Sequence, residues 1–172
     1  MFFLKFIPIF FMIFVIVPNT ELANAESEDP KSYKVLSNNN EQFSISNVQS
    51  YLSDGDILIK KGDFDGAKEK YDKARSLAKQ LAGFYRDLNG SFKGIDARIP
   101  LEMQTKGKKS IRIWAESNER LAALYKRKKQ PEVAVPLLVE IVRLMTPNSP
   151  EGKKAYEKLI QLGFVNTSYK GF

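Results

Sequence analysis

The sequence predicts an all-α fold of antiparallel helical hairpins, and three observations predict it. Apolar residues recur at steps of three and four through most of residues 46–165. Helix-start and helix-stop chemistry punctuates that period. No segment alternates apolar and polar residues as a half-buried strand does.

The first 25 residues stand apart from this pattern. One lysine, Lys5, precedes a run from Phe6 to Val17 that is apolar except for Pro8. Pro18-Asn19-Thr20 then breaks it, and Ala23-Asn24-Ala25 places small side chains where a signal peptidase reads them. That order predicts a secretory signal peptide over 1–25, and the run is short for a membrane span. The alternative is an uncleaved N-terminal helix acting as a membrane anchor. With no cysteine in the chain, lipoprotein processing is excluded. Residues 26–45 are polar, include Asn38-Asn39-Asn40, and predict a flexible linker to a helical domain over 46–165. Residues 166–172 are left as a tail.

Within 46–165, Ser46-Asn47-Val48-Gln49 has the form of a capping box, so a helix is expected from Asn47 to Lys61, stopped by Gly62. Asp63 can cap the next helix. Its stripe is Phe64, Ala67, Tyr71, Ala74, Leu77, Leu81, Phe84 and Leu88, and Asn89-Gly90 supplies a stop. Gly90 to Ile99 reads as a loop. Pro100 suits a first turn, and Met103, Ile111, Trp114, Leu121, Leu124 and Tyr125 follow helical spacing, with Gly107 a weak point. Pro131-Glu132 restarts a strongly apolar helix that carries Pro136 inside it, where a hydrogen bond is lost. Ser149-Pro150-Glu151 combines a cap, a first-turn proline and a first-turn acid, and the last helix should end near Gly163.

Self-similarity adds a further layer. Tyr51, Gly55 and Leu58 are followed by Gly62-Asp63-Phe64-Asp65, Ala67, Tyr71 and Ala74. A shift of 67 positions finds Asn118, Leu121, Ala122, Tyr125, Ala134, Leu138 and Ile141 in the same frame. Small residues at Gly55, Ala67, Ala122 and Ala134 would let helix pairs approach closely, and large ones at Tyr71 and Leu138 would fill the groove beyond. This pattern resembles the tetratricopeptide repeat, although Asp54 stands where leucine is usual and Lys79 where proline is usual. The resemblance implies an α-solenoid fragment with a non-repeat insertion between two hairpins and a C-terminal capping helix. Tyr85, Leu88, Asn89 and Phe92 leave open a degenerate middle repeat instead. Phe84-Tyr85-Arg86-Asp87-Leu88, Asp96-Ala97-Arg98-Ile99-Pro100 and Ser149-Pro150-Glu151-Gly152 also resemble small exported tetratricopeptide-like proteins of cyanobacteria and plastids. That likeness implies the periplasm or thylakoid lumen and the assembly or maintenance of membrane complexes.

Composition narrows the chemistry. The chain has no cysteine and no histidine, so it offers no thiolate nucleophile, imidazole base or Cys/His metal site. No catalytic residue, cofactor or metal is assigned. Asp54, Asp56, Asp63 and Asp65 lack the ligand order of a calcium loop and read as turn and cap residues. Glu116 and Glu119, beside Arg112 and Arg120, read as a solvated helix face of weak ion pairs. A formal net charge of +7 favours a protein partner with an acidic surface or an anionic membrane, and export argues against nucleic acid.

The contact residues expected from sequence are Arg86, Asp87, Asp96 and Arg98, which flank the non-repeat loop, and the basic run Lys106, Lys108, Lys109. Lys126 to Lys129 suits a helix C-terminus. The expected function is a non-catalytic protein–protein interaction module, a scaffold or assembly factor. The alternatives are an electrostatically bound peripheral membrane or envelope component and a carboxylate-based envelope hydrolase. Residues 100–109 and the last helix are expected to cover the exposed faces of the hairpins. An apolar face left open would favour self-association.

Overall fold

A computed structural model describes residues 42–170, which form five helices and no strand. These residues fall within one compact unit. The signal peptide and most of the linker expected from sequence lie outside the described residues. Among the described residues, no helix is long and apolar enough to cross a membrane.

Helix α1 spans Ile45–Lys61. It starts two residues before the sequence-based expectation, because Ser44 rather than Ser46 is the cap: its hydroxyl accepts a hydrogen bond from the Asn47 amide at 3.1 Å. The earlier start adds Ile45 to the face that packs on the core. At the other end Gly62 adopts φ +80°, the left-handed conformation that lets its N–H close the last turn on Leu58 and Ile59. Asp63 then caps α2, Phe64–Ser91, through the Gly66 amide at 2.9 Å.

Helices α2 and α3 are the long elements. Helix α2 has 28 residues and α3, Arg98–Arg127, has 30. The expected loop from Gly90 to Ile99 shrinks to a turn over 92–97. Pro100 falls in the first turn of α3, where its missing N–H removes no helical hydrogen bond. Gly107 does not interrupt α3. It faces Tyr85, whose Cβ lies 3.5 Å from the position a glycine Cβ would take, so the small residue allows α3 to lie close to α2. Both helices run unbroken past Lys79 and Ser117, so no separate middle hairpin forms. The extra residues lengthen one hairpin instead of adding another.

Helix α4, Pro131–Met145, retains Pro136 on an exposed position. Helix α5, Pro150–Gln161, is capped by Ser149, whose hydroxyl accepts from the Gly152 amide at 2.9 Å. Each helix packs mainly on its neighbours in sequence, and α1 also touches α3. The residues set aside as a tail return to the body: the Tyr156 hydroxyl donates to the Thr167 carbonyl at 2.8 Å, and Tyr169 packs edge-on against Tyr156.

Two apolar clusters share α3. The first joins α1, α2 and α3 through Val48, Leu52, Ala67, Tyr71, Leu81, Trp114 and Leu121. The second joins α3, α4 and α5 through Ala115, Ala122, Ala134, Leu138, Ile141, Ala155 and Leu159. Helix α5 therefore covers α4, whereas residues 100–109 cover the far end of α2 and leave the ends of the helical stack alone. Gly55, Ala67, Ala74, Ala122 and Ala134 are buried between helices, and Tyr51, Leu58 and Tyr125 are half-buried at the margins. The α2 stripe differs from expectation. Phe64 and Phe84 are substantially exposed, while Ala78, Ala82 and Tyr85 are buried, because α2 is covered by α1 on one side and by α3 on the other.

Candidate functional site

Three polar clusters pin the helices together, and of their contacts sequence spacing indicated only the Glu116–Arg120 pair within α3. In the first, Asn118 on α3 is fully buried and accepts from Arg75 Nε on α2 at 2.6 Å. Its own amide donates to Glu140 on α4 at 2.9 Å, and Arg75 reaches the same Glu140 oxygen at 2.6 Å. One asparagine at the aromatic position of the repeat frame was the only signal. In the second, the Tyr71 hydroxyl donates to Asp56 at 2.6 Å, and Arg120 bridges Asp56 at 3.1 Å and Glu116 at 2.7 Å. In the third, Glu119 is half-exposed on α3, and its partners come from another helix. Its carboxylate meets Lys154 and Lys158 of α5 at 2.8 and 2.9 Å.

The remaining aspartates considered for a calcium loop are spread over the turn: Asp54 pairs with Lys70, Asp65 with Lys128, and Asp63 is the cap. Trp114 and Tyr85 lie in the core.

Electrostatics follow from these contacts. Burial pushes the carboxyls of Asp56, Glu119 and Glu140 up, and their partners outweigh it. Hydrogen bonds and charge from Arg120 and Tyr71 lower Asp56, Lys154 and Lys158 lower Glu119, and Arg75 with Asn118 lowers Glu140. Burial and then the hydrogen bond to Asp56 raise the Tyr71 phenol. Because the folded carboxyls release protons more readily than the unfolded chain, the stability they contribute is complete above the ordinary values of 3.8 and 4.5. It is lost as pH falls through the lowered folded values. With no histidine, stability should be level from about pH 5 to 7 and should fall steadily below about pH 4.5, measured as the urea midpoint at each pH. A midpoint that holds down to about pH 3 would show these pairs to be energetically idle.

The contact residues expected from sequence lie along the free end of the α2–α3 hairpin, but they do not form one cluster. Arg86 pairs with its neighbour Asp87 at 3.0 Å, and Asp96 with Arg98 at 2.7 Å, so each couple is internally matched. Lys106 pairs with Glu102 at 2.6 Å and lies over the Tyr85 ring. Lys108 and Lys109 are different. Both are exposed, and no carboxylate among the described residues is within ion-pair distance of either. With Arg112, whose nearest acid, Glu151, is 3.8 Å away, they rim a shallow cavity of about 320 Å³ floored by Ile111, Leu144 and Met145. The cavity lies where the end of α4 meets the middle of α3.

The hairpin continues past this point. The Phe43 ring at the start of α1 packs edge-on against Phe84, 5.8 Å between centroids, so α2 outruns α1 by residues 85–91. At 1.5 Å per residue that is about 10 Å. The end of α4 is level with Lys108, so α3 outruns α4 by residues 98–107, about 15 Å.

No protein-family model matches this chain, and no curated protein matches it.

Proposed function

We propose that the chain is a non-catalytic adaptor of tetratricopeptide-like helical hairpins that holds an acidic segment of a partner protein, serving as a scaffold or assembly and maintenance factor for a membrane-associated complex. The N-terminal signal would carry it out of the cytoplasm, to a periplasm or thylakoid lumen. One observation carries the reading: the unmatched amines of Lys108 and Lys109 and the guanidinium of Arg112 surround an apolar floor of Ile111, Leu144 and Met145. Apolar contact there supplies affinity, and unmatched charge selects an acidic partner. The small residues at Gly55 and Ala134, buried between helices, support the tetratricopeptide-like part of the reading.

Affinity capture with the Lys108→Glu, Lys109→Glu double variant tests this. The partner retained by the wild-type protein should be lost by about tenfold or more, while helicity stays unchanged. Changing Arg86, Asp87, Asp96 and Arg98 to alanine should have a far smaller effect, since those charges already match one another. Equal capture by the charge-reversed variant would remove the cavity from the reading.

A further inference from the structure

The end of the α2–α3 hairpin is built in a way the helical body does not require. Ile95, in the turn, is 77% exposed, and Leu101, in the first turn of α3, is 66% exposed; these are the two most exposed large apolar side chains among the described residues. Neither contributes to either core cluster. Arg98 lies between them in sequence with its side chain 90% exposed, and Lys93 is exposed on the approach to the turn. Gly94, at φ +84°, lets the backbone reverse here.

Charge at this end has one sign left over. Residues 86–109 hold six basic side chains and three acidic ones. Each acid has a basic partner: Asp87 with Arg86, Asp96 with Arg98 and Glu102 with Lys106. Lys93, Lys108 and Lys109 are the surplus. The turn is thus a narrow, convex, apolar point with positive charge behind it and no unmatched acid.

We propose that this tip is an anchor for an anionic lipid surface. Ile95 and Leu101 enter the boundary between headgroups and acyl chains, and Lys93 meets the headgroup phosphates. Lys108 and Lys109, higher on the stalk, add attraction from farther out. Lipid fits better than protein for two reasons. A stable protein interface needs on the order of 800 Å² per partner and a matching shape, which a two-residue point does not offer, whereas a bilayer closes around whatever enters it. The surplus charge is complementary to acidic phospholipid. The projection past α1 and α4 lets the tip reach a flat surface ahead of those two helices.

The chain contains no cysteine, so a single cysteine can report on the tip alone. The full-length Ile95→Cys protein, labelled with a polarity-sensitive fluorophore, is mixed with vesicles of phosphatidylcholine or of phosphatidylcholine with phosphatidylglycerol. The emission should shift to shorter wavelength with the anionic vesicles only. A label at Glu157→Cys on α5 should not respond. Adding Leu101→Ser and Lys93→Glu should weaken the tip response by about tenfold or more, and raised salt should weaken it as well. These positions are exposed, so the variants keep their helicity. A tip label that stays unchanged on vesicles the protein binds would overturn the proposal, because attachment would then run through another segment. So would a shift caused by an acidic peptide and not by vesicles, which would make the tip a protein contact. The cavity at Lys108 and Lys109 is judged by partner capture instead, and the Ile95 and Leu101 changes should leave that capture intact.

Discussion

Changing Glu140 to alanine is expected to destabilise the helical body by about 2–4 kcal/mol, lowering Tm by on the order of 10 °C. Glu140 has a side chain only 14% exposed and receives hydrogen bonds from Arg75 and Asn118, with Arg143 farther out at 3.4 Å. Removing it strands a guanidinium and a fully buried amide. The guanidinium regains some water, because the Arg75 side chain is partly exposed, which keeps the cost below that of a sealed ion pair. The amide of Asn118 regains none. Glu140→Gln keeps an acceptor of the same shape and should cost clearly less than the alanine variant. It should also flatten part of the acid dependence described above. Urea denaturation of the two variants at neutral pH measures both effects. An alanine variant within about 1 kcal/mol of wild type would mean that the cluster is solvated and does not join α2, α3 and α4.

Gly55→Ala is expected to cost about 2 kcal/mol, although alanine is the better helix former by about 1 kcal/mol. A Cβ at Gly55 would lie 2.4 Å from Tyr71 Cε1 and 2.7 Å from Tyr71 Cδ1. The ring cannot swing aside cheaply. It is buried in the first core cluster, and its hydroxyl is held by Asp56 at 2.6 Å. Either the ring shifts and weakens the Asp56–Arg120 cluster, or α1 moves away from α2. Gly83, inside α2, provides the contrast, because a Cβ there meets nothing within 4 Å. Gly83→Ala should therefore stabilise by about 0.5–1 kcal/mol through helix propensity alone. Opposite signs for the same substitution would establish that Gly55 is a packing residue. A stabilising Gly55→Ala would mean that α1 and α2 are not in close contact.

Much of the helical layout was readable because its causes are local. Asp63, Gly62 and Ser149-Pro150 mark helix ends through hydrogen bonds that span three or four residues, and the structure places ends beside all of them. Where the sequence pointed to Ser46 as the cap of α1, packing decided otherwise. Ser44 and Ser46 both offer cap chemistry, and packing of Ile45 favours the earlier one. Asn89-Gly90 marked the end of α2 to within one or two residues, whereas Gly107 looked like a weak point and packing against Tyr85 of α2 keeps that segment helical. Phe84 fitted a one-sided stripe, but α2 has neighbours on two sides, and Tyr85 takes the inner position.

The candidate site was legible only in part. Lys108 and Lys109 stood out as a dense basic run, but Leu144 and Met145, which complete the apolar floor beside them, come from the end of α4, more than 30 positions away. Arg86, Asp87, Asp96 and Arg98 looked equally promising, and the fold turned them into self-matched couples.

By itself, then, the amino-acid order determined that this domain is helical, where most of its helices begin and end, and that it has no thiol or imidazole to react. Those properties depend on composition and on contacts within one or two turns. Only tertiary packing decided that α2 and α3 would run on together as one projecting hairpin, that Arg75, Asn118 and Glu140 would meet, and which lysines would remain unmatched. Arg75 and Glu140 are separated by 65 positions. No local pattern encodes such a meeting, because burial of α3 on both faces is what excludes water and makes the partners necessary.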